Sequence, residues 1–451
     1  MRACKRLSFE VHDPSTGAVI GKCAEFNTDD AMEAIAAATE AFASFRKTLP
    51  RERAKMLRKW YDLMVAKAED LATLITWENG KPLSDAKGEV AFASNFFEWF
   101  NEEAARTYGD TIPASNLGNR VMTLKQPVGV CAMITPWNFP AAMLTRKVGA
   151  ALAAGCTVVV KPAGETPFTA NTLAELSRRA GVPPGVVNLV PGLKNTVAIG
   201  QLLTTDSRIK KVSFTGSTNV GKLLMQQSSP SLKKLSLELG GNAPFIVFDD
   251  CPDIEGAVLQ AVNCKFRSSG QTCICANRIY VHRNIYDTFA QKLTERVNQF
   301  KVGHGFDNGV THGPLIHDRA VNKAEEHFRD AQEKGARVTI GGKRLPDLGP
   351  NFYAPTVLTG VNSQMLITSE ESFGPVALLI PFSSEKDVVA MANSVSAGMI
   401  GVNTGPISDV VNPFGGVKES GFGSEGSKYG VDEYTTIKSI TVGGIQDDLQ
   451  G

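Results

Sequence analysis

The sequence predicts an α/β protein built on a doubly wound parallel sheet, followed by a second α/β domain and finished by a small β arm. Three observations carry this. Beyond Val121, strand-like runs at 128–134, 157–160, 186–190, 211–214, 235–237 and 245–248 alternate with helical segments led by Pro, Thr or Ser. That rhythm is the mark of right-handed βαβ units. A further series of strands and helices runs from Pro252 to about Ile400, and the tail from Tyr434 to Gly444 returns to β-like sequence able to pair with another segment or subunit.

Length and composition agree with several domains. A chain of 451 residues exceeds what one core supports, so two or three units are expected. A hydrophobic fraction of 43%, a charged fraction of 21% and a net charge of +1 describe an ordinary globular protein. The balance gives no electrostatic case for nucleic acid or an anionic membrane. The longest apolar run, 148–160, lies between Lys147 and Lys161 and is too short to span a bilayer. Arg2, Lys5 and Arg6 make a short basic start without an amphipathic helix, read as untargeted and cytoplasmic, with a mitochondrial form as the alternative. Eight scattered cysteines form no disulfide framework, which fits a reducing compartment.

The first hundred residues read as helical after one hairpin-like stretch. Thr28 suits an N-cap, Asp29 and Asp30 suit the dipole, and Met32, Ile35, Phe42 and Phe45 fall on one face. A second helix starts near Pro50, with Met56, Leu57, Trp60, Leu63 and Met64 as its buried stripe.

Several segments carry chemistry. In Ser269-Gly270-Gln271-Thr272-Cys273-Ile274-Cys275, glycine and small polar residues leave the Cys273 thiol reachable, as a nucleophile requires. The plain alternative is a buried structural cysteine. Cys273 and Cys275 also raise zinc, but no second ligand pair exists, and His312 and His317 are five apart, so no metal is expected. Glu238 ends a strand before Gly240 and Gly241, between Leu237 and Leu239. Desolvation there raises a carboxyl pKa toward that of a water-activating base; an ordinary capping glutamate is the alternative. The run from Lys211 through Gly216, Ser217 and Gly221 to Lys222 gives strand, glycine turn and helix start, suited to phosphate. It nearly matches a P-loop and fails at Leu223, so a nucleotide hydrolase stands as a weakened rival. Asn138, set between Pro136 and Pro140, can donate to an oxyanion, and Lys161 at a strand end suits a ribose or phosphate. A turn asparagine and a solvated lysine are the respective alternatives.

In this order and spacing the segments resemble the aldehyde dehydrogenase superfamily over 11–444, joined by Glu370-Glu371-Ser372-Phe373-Gly374-Pro375 and Asn412-Pro413-Phe414-Gly415-Gly416-Val417-Lys418. The resemblance implies that Cys273 attacks an aldehyde, that Asn138 and the Cys273 N–H hold the oxyanion, and that Glu238 activates water against the thioester. It implies NAD or NADP as cofactor, with Lys161 and Glu371 on the riboses, Gly216 and Ser217 at the packed turn, Trp137 nearby and Phe373 positioning the nicotinamide. It further implies a dinucleotide-binding domain (1–108 and 128–239), a catalytic domain (240–432), and an oligomerisation arm (109–127 and 433–451) that makes dimers or tetramers.

Within the superfamily, Thr145-Arg146-Lys147-Val148-Gly149, Lys265-Phe266-Arg267 and Gly426-Ser427-Lys428-Tyr429-Gly430 are similar to the succinate semialdehyde dehydrogenase group. Arg146, Arg267 and Ser408 match the positions that bind the substrate carboxylate, for which a guanidinium fork is suited. NAD-preferring relatives often carry Glu three residues after the strand-end Lys; here Gly164 removes that repulsion, so NADP is accepted alongside NAD. Cys275 next to the nucleophile implies a strained, reducible disulfide, with packing as the alternative.

Two departures stand out. The start lacks an opening strand pair, and between Asn393 and Gly398 only 394–397 remain where the family has a strand and a helix, roughly two dozen residues. Losing such a unit exposes sheet edge and core. The alternative expectation is therefore a catalytically impaired or non-catalytic protein of the same fold.

Overall fold

The computed structural model describes residues 7–392 and 397–445, so three of the four residues left in the shortened stretch lie outside the described residues. An antiparallel pair, Ser8–His12 with Val19–Ala24, does open the chain. It holds because Phe9, Val11 and Cys23 bury a small cluster against Phe168.

The first helix, Thr28–Phe45, is capped by Asn27 instead of Thr28. The Asn27 side chain accepts from the Asp29 and Asp30 N–H groups while the Asp30 carboxylate accepts from Asn27 N–H. Ala31, Ile35, Ala38 and Phe45 form its buried stripe, and Met32 falls off it at 42% exposed. Small alanines let the helix lie close to the sheet, where Thr157 Oγ1 donates to Ala38 O at 2.8 Å. The second helix, Pro50–Ala66, buries Leu57, Trp60 and Met64, with Met56 and Leu63 at the margin.

The first sheet runs in the order Val187–Leu189, Thr157–Lys161, Val130–Ile134, Ile209–Thr215, Lys234–Glu238, all parallel, with Gly421–Phe422 added antiparallel at the edge. The chain thus leaves the central 130–134 strand to one side, then returns to build the other. That reversal opens a crevice at the carboxyl ends of 130–134 and 209–215, where such sheets take ligands. Strand periodicity sorts the two faces. Val130 and Ala132 pack with Ala31, Ile35 and Ile199, whereas Cys131 and Met133 join the cluster of Trp60, Phe97 and Leu144.

The 245–248 run, read from sequence as part of this sheet, belongs to a second one. Ala243–Val247 is the edge of a sheet ordered through Ala276–His282, Val376–Phe382, Thr356–Thr359 and Arg337–Ile340, parallel except for the last pairing. The reason is local: Gly240 and Gly241 break the alternation with no helix between them, so the chain passes into a new layer. The tail strand Thr435–Val442 pairs antiparallel with Arg120–Pro127, which also holds Thr111–Ile112.

Trp60 and Phe97 stack at 4.2 Å between centroids in the helical layer under the first sheet, both fully buried. Phe97→Ala should therefore cost about 3–5 kcal/mol, read as a lowered urea midpoint. A loss below about 1 kcal/mol would show that this layer does not hold the sheet.

Candidate active site

The nucleophile loop follows the helix Ile254–Phe266. Ser268, Ser269 and Gly270 are all left-handed, with φ of 51°, 55° and 77°. For serines this costs on the order of 1 kcal/mol or more each, a strain typical of functional turns. Gly270 is required: a Cβ there would lie 2.1 Å from Gly374 O, so the 371–375 segment is pressed against the cysteine loop. The loop is tied down by Ser269 Oγ donating to Gly313 O at 2.8 Å and by Gln271 Oε1 accepting from Ile316 N at 3.0 Å. Cys273 emerges partly exposed. Burial of its sulfur pushes the thiol up to about 12, with Arg146 opposing and Glu371 and Glu238 adding to the rise. Those three side chains therefore lie within electrostatic reach of the thiol.

Asn138 is buried in the turn after Val130–Ile134. Its Nδ2 donates to Gln271 O at 3.0 Å, and a carbonyl acceptor fixes the amide orientation. The second N–H remains for a ligand.

Glu238 ends its strand, 6% exposed. Burial raises its carboxyl well above the usual range, and Glu425 adds to this against Arg146 and Lys147. Glu425 is itself buried, yet Lys147 and Arg146 overcome that burial and hold it below the ordinary value. Lys147 Nζ bonds Glu425 Oε1, and Arg146 Nε lies 2.8 Å from Oε2 without hydrogen-bond alignment. Of the two carboxyls, Glu425 is held toward its charged form and Glu238 toward its protonated form. The flanking leucines signalled desolvation; the second carboxylate was hidden in a distant segment.

The crevice beyond has the features of a dinucleotide groove. Lys161 Nζ donates to Pro162 O and Gly192 O at 3.0 and 2.9 Å, and burial draws it down to about 8 against Glu165 and Glu25. A Cβ on Gly164 would lie 2.7 Å from Leu193 Cδ1 and 3.2 Å from Leu193 Cα, so an acidic side chain does not fit without moving that loop. Gly216 N donates to Glu238 O, and Ser217 precedes the helix Thr218–Ser228 with its hydroxyl uncommitted as a cap. The P-loop reading fails here: the residues from Thr218 to Gly221 are helical, and Lys222 pairs with exposed Glu419. Glu371 stands over Gly240 with Oε1 buried and unpartnered, its carboxyl raised to about 7 by burial. Phe373, at φ 46°, meets Trp137 edge-on at 5.6 Å. An orphaned carboxylate oxygen and a buried lysine are what ribose hydroxyls would satisfy, so these residues fit NAD(P).

Arg146 lies 4.0 Å over the Phe414 ring, 2% exposed, with Nη2 unpartnered. Arg267 stands over Phe139 at 5.3 Å and lines a cavity of about 380 Å³ with Asp85, Thr272, Ile274 and Pro406. Ser408 is half-buried two residues beyond Pro406. Cys275 is buried, its Sγ toward Lys265 O at 3.5 Å and Gly270 O at 3.4 Å. Among the described residues no group of three His, Cys, Asp or Glu could hold a metal, and no helix is long and apolar enough to cross a membrane. Sequence reasoning missed Glu425, Lys147, Lys81 and Glu89. Lys147 and Glu89 sit inside ordinary helical patterns, and only the Gly80-Lys81-Pro82 break and the Gly-flanked Glu425 offered a signal.

A thiol, an amide donor and a raised carboxyl converging at the mouth of such a crevice define an aldehyde-oxidising site, and the chain belongs to the aldehyde dehydrogenase family, whose model matches 2–397 and 392–440. It is 54% identical over 463 positions to the succinate-semialdehyde dehydrogenase 1 of Schizosaccharomyces pombe, a name that specifies NADP(+), covering 98% of this chain and 93% of the relative. The corresponding NADP(+) enzyme of Saccharomyces cerevisiae is 50% identical over 98% of this chain and 93% of its own. The crystal structure of succinate-semialdehyde dehydrogenase from Burkholderia pseudomallei superposes with a TM-score of 0.95 at 50% identity, covering 97% of this chain and 95% of the other.

A thiol raised to about 12 is neutral near pH 7. Without cofactor, alkylation of Cys273 by iodoacetamide, followed by peptide mass, should rise about tenfold per pH unit up to pH 10. A plateau below pH 9 would mean that the thiolate forms without help.

Proposed function

We propose that this enzyme oxidises succinate semialdehyde to the diacid with NADP⁺, accepting NAD⁺ as well. The observation that carries the reading is the meeting of Cys273, Asn138 and Glu238 with a buried arginine, Arg146, whose Nη2 lacks a partner. The names of the most similar relatives support the substrate and the cofactor. Gly164, wedged against Leu193, supports NADP⁺ because no acidic side chain stands beside Lys161 to repel a 2′-phosphate.

Cys273 gives its proton to solvent water, and its sulfur bonds the aldehyde carbon as the carbonyl electron pair moves to oxygen. The free N–H of Asn138 Nδ2 and the Cys273 backbone N–H hold the oxyanion of the thiohemiacetal. When bound, the nicotinamide supplies the hydride acceptor that turns this adduct into a thioester. Glu238, once deprotonated, takes a proton from water as that water attacks the thioester carbon, and Cys273 leaves as sulfur anion. Arg146, Arg267 and Ser408 hold the remote carboxylate. Lys161 and Glu371 hold the riboses, Gly216 and Ser217 the pyrophosphate turn, and Trp137 with Phe373 the nicotinamide side. Cys275, whose thiol faces two carbonyls, packs the loop in this structure; a disulfide to Cys273 requires it to give up both contacts.

The first sheet and its helices serve as the dinucleotide-binding domain, and the second sheet as the catalytic domain. The 111–127 and 435–442 strands form an arm for homo-oligomers. Ile437 at 70% exposed and Leu124 at 46% support that role. The scatter of the eight cysteines along the sequence supports a reducing compartment, the cytoplasm, with a mitochondrial form as the alternative. The chain also lacks a strand–helix unit near 394–397. Support comes from the family match breaking at 392–397, and from the fission-yeast alignment. Its 463 positions exceed 98% of 451 residues by about 21. Cys273, Asn138 and Glu238 all lie outside that stretch, and nothing favours an impaired protein.

The test follows absorbance at 340 nm with succinate semialdehyde and NADP⁺. Cys273→Ala should abolish reduction. Arg267→Ala should lower kcat/KM for succinate semialdehyde by about 10–100-fold, the loss of one charged hydrogen-bond partner, and for butanal by less than threefold. Equal losses on both aldehydes would remove the arginine clamp, and turnover in Cys273→Ala would remove the mechanism.

A further inference from the structure

Helix Ala68–Asn79 is joined to helix Leu83–Glu103 by three residues, and the middle one is Lys81. Its ammonium is buried and lies 2.6 Å from Glu89 Oε2, the two side chains being 1% and 0% exposed. Lys81 Nζ also donates to Asn138 O at 2.7 Å and sits 4.0 Å over the Phe139 ring. The other oxygen of Glu89 accepts from Ala141 N at 2.9 Å and from Ala142 N at 3.4 Å, at the start of the helix Ala142–Ala154, which has no side-chain cap of its own. The cation thus grips the carbonyl of Asn138, and the anion grips the helix N-terminus three residues later, each matched in sign to the group it meets. Asn79 Nδ2 holds the preceding carbonyl, Trp137 O, at 3.0 Å.

The link itself is wedged against the segment that steadies the nucleophile loop. A Cβ on Gly313 would lie 2.1 Å from Gly80 O, and one on Gly305 would lie 2.6 Å from Lys81 O. Gly313 O is the acceptor of Ser269 Oγ, and Pro314 O accepts from Gln271 Nε2. One platform therefore fixes both the Asn138 turn and the Cys273 loop. An ion pair buried this deeply contributes little net stability over an apolar pair of similar volume, so what it adds is geometry.

We propose that Lys81 and Glu89 are positioning residues that aim the Asn138 amide at the oxyanion formed on the Cys273 adduct. The proposal rests on the roles given above to Cys273 and Asn138. A donor displaced by a fraction of an ångström loses its hold on the transition state more than on the bound aldehyde, so the effect falls on kcat. Lys81→Met should lower kcat by about 30–100-fold and leave KM within threefold, while Asn138→Ala lowers it by about 100–1000-fold. In the double variant the losses should not multiply: Lys81→Met added to Asn138→Ala should cost less than threefold more. Glu89→Gln, which keeps the Ala141 contact and weakens the pair, should lie between wild type and Lys81→Met, and it carries the same double-variant test where Lys81→Met gives no folded enzyme. Multiplying losses, or a raised KM at unchanged kcat, would overturn the proposal. Wild-type enzyme that fails to oxidise aldehydes would instead overturn the reading beneath it.

Discussion

One hydrogen bond joins the two halves of the chemistry. Asn138 lies on the first sheet and Cys273 on a loop of the second unit, and they meet because Asn138 Nδ2 donates to Gln271 O at 3.0 Å. An oxyanion hole needs its donors held to within a few tenths of an ångström of the developing charge. A site assembled from two layers must therefore couple those layers at the donor itself. The Asn138 amide spends one of its two hydrogens on the loop that carries Cys273. Its Oδ1, buried without a partner, marks the cost of that arrangement.

The second constraint is electrostatic. A water-activating carboxylate has to be basic enough to take a proton and close enough to positive charge to lose one again. Glu238 is raised by burial and by Glu425, whereas Arg146 and Lys147 pull the other way. Arg146 faces Glu425 through Nε and leaves Nη2 buried without a partner. An unsatisfied buried guanidinium nitrogen costs roughly 1–3 kcal/mol, a cost borne next to the carboxyl whose proton affinity Arg146 lowers.

What the sequence made legible follows the range of the interactions. Cys273 and Glu238 stand in short motifs whose glycines do local work, as the left-handed Gly270 under Gly374 shows. The first sheet was readable because strands buried on both faces are nearly continuous apolar runs. The 245–248 run was assigned to the wrong sheet because its own residues look the same in either one. Met32 misled because Ala31, Ile35, Ala38 and Phe45 take the buried stripe and Met32 falls beside it. Lys81, Glu89 and Glu425 were not picked out because each works on a segment far away in sequence, and a buried charge reads like a solvated one until its partner is in place.

Ala243–Val247 is the outermost strand of the second sheet. Apolar surface left open there costs stability and invites association. The chemistry is held elsewhere. Asn138 is gripped by Lys81 and the Gln271 carbonyl, Cys273 by Gly313, Ile316 and Gly374, and Glu238 by the Gly421–Phe422 strand paired across its own backbone. None of these contacts passes through the open edge of the second sheet. The residues gathered at the candidate site are therefore held in register by contacts that do not depend on the outermost strand of the second sheet.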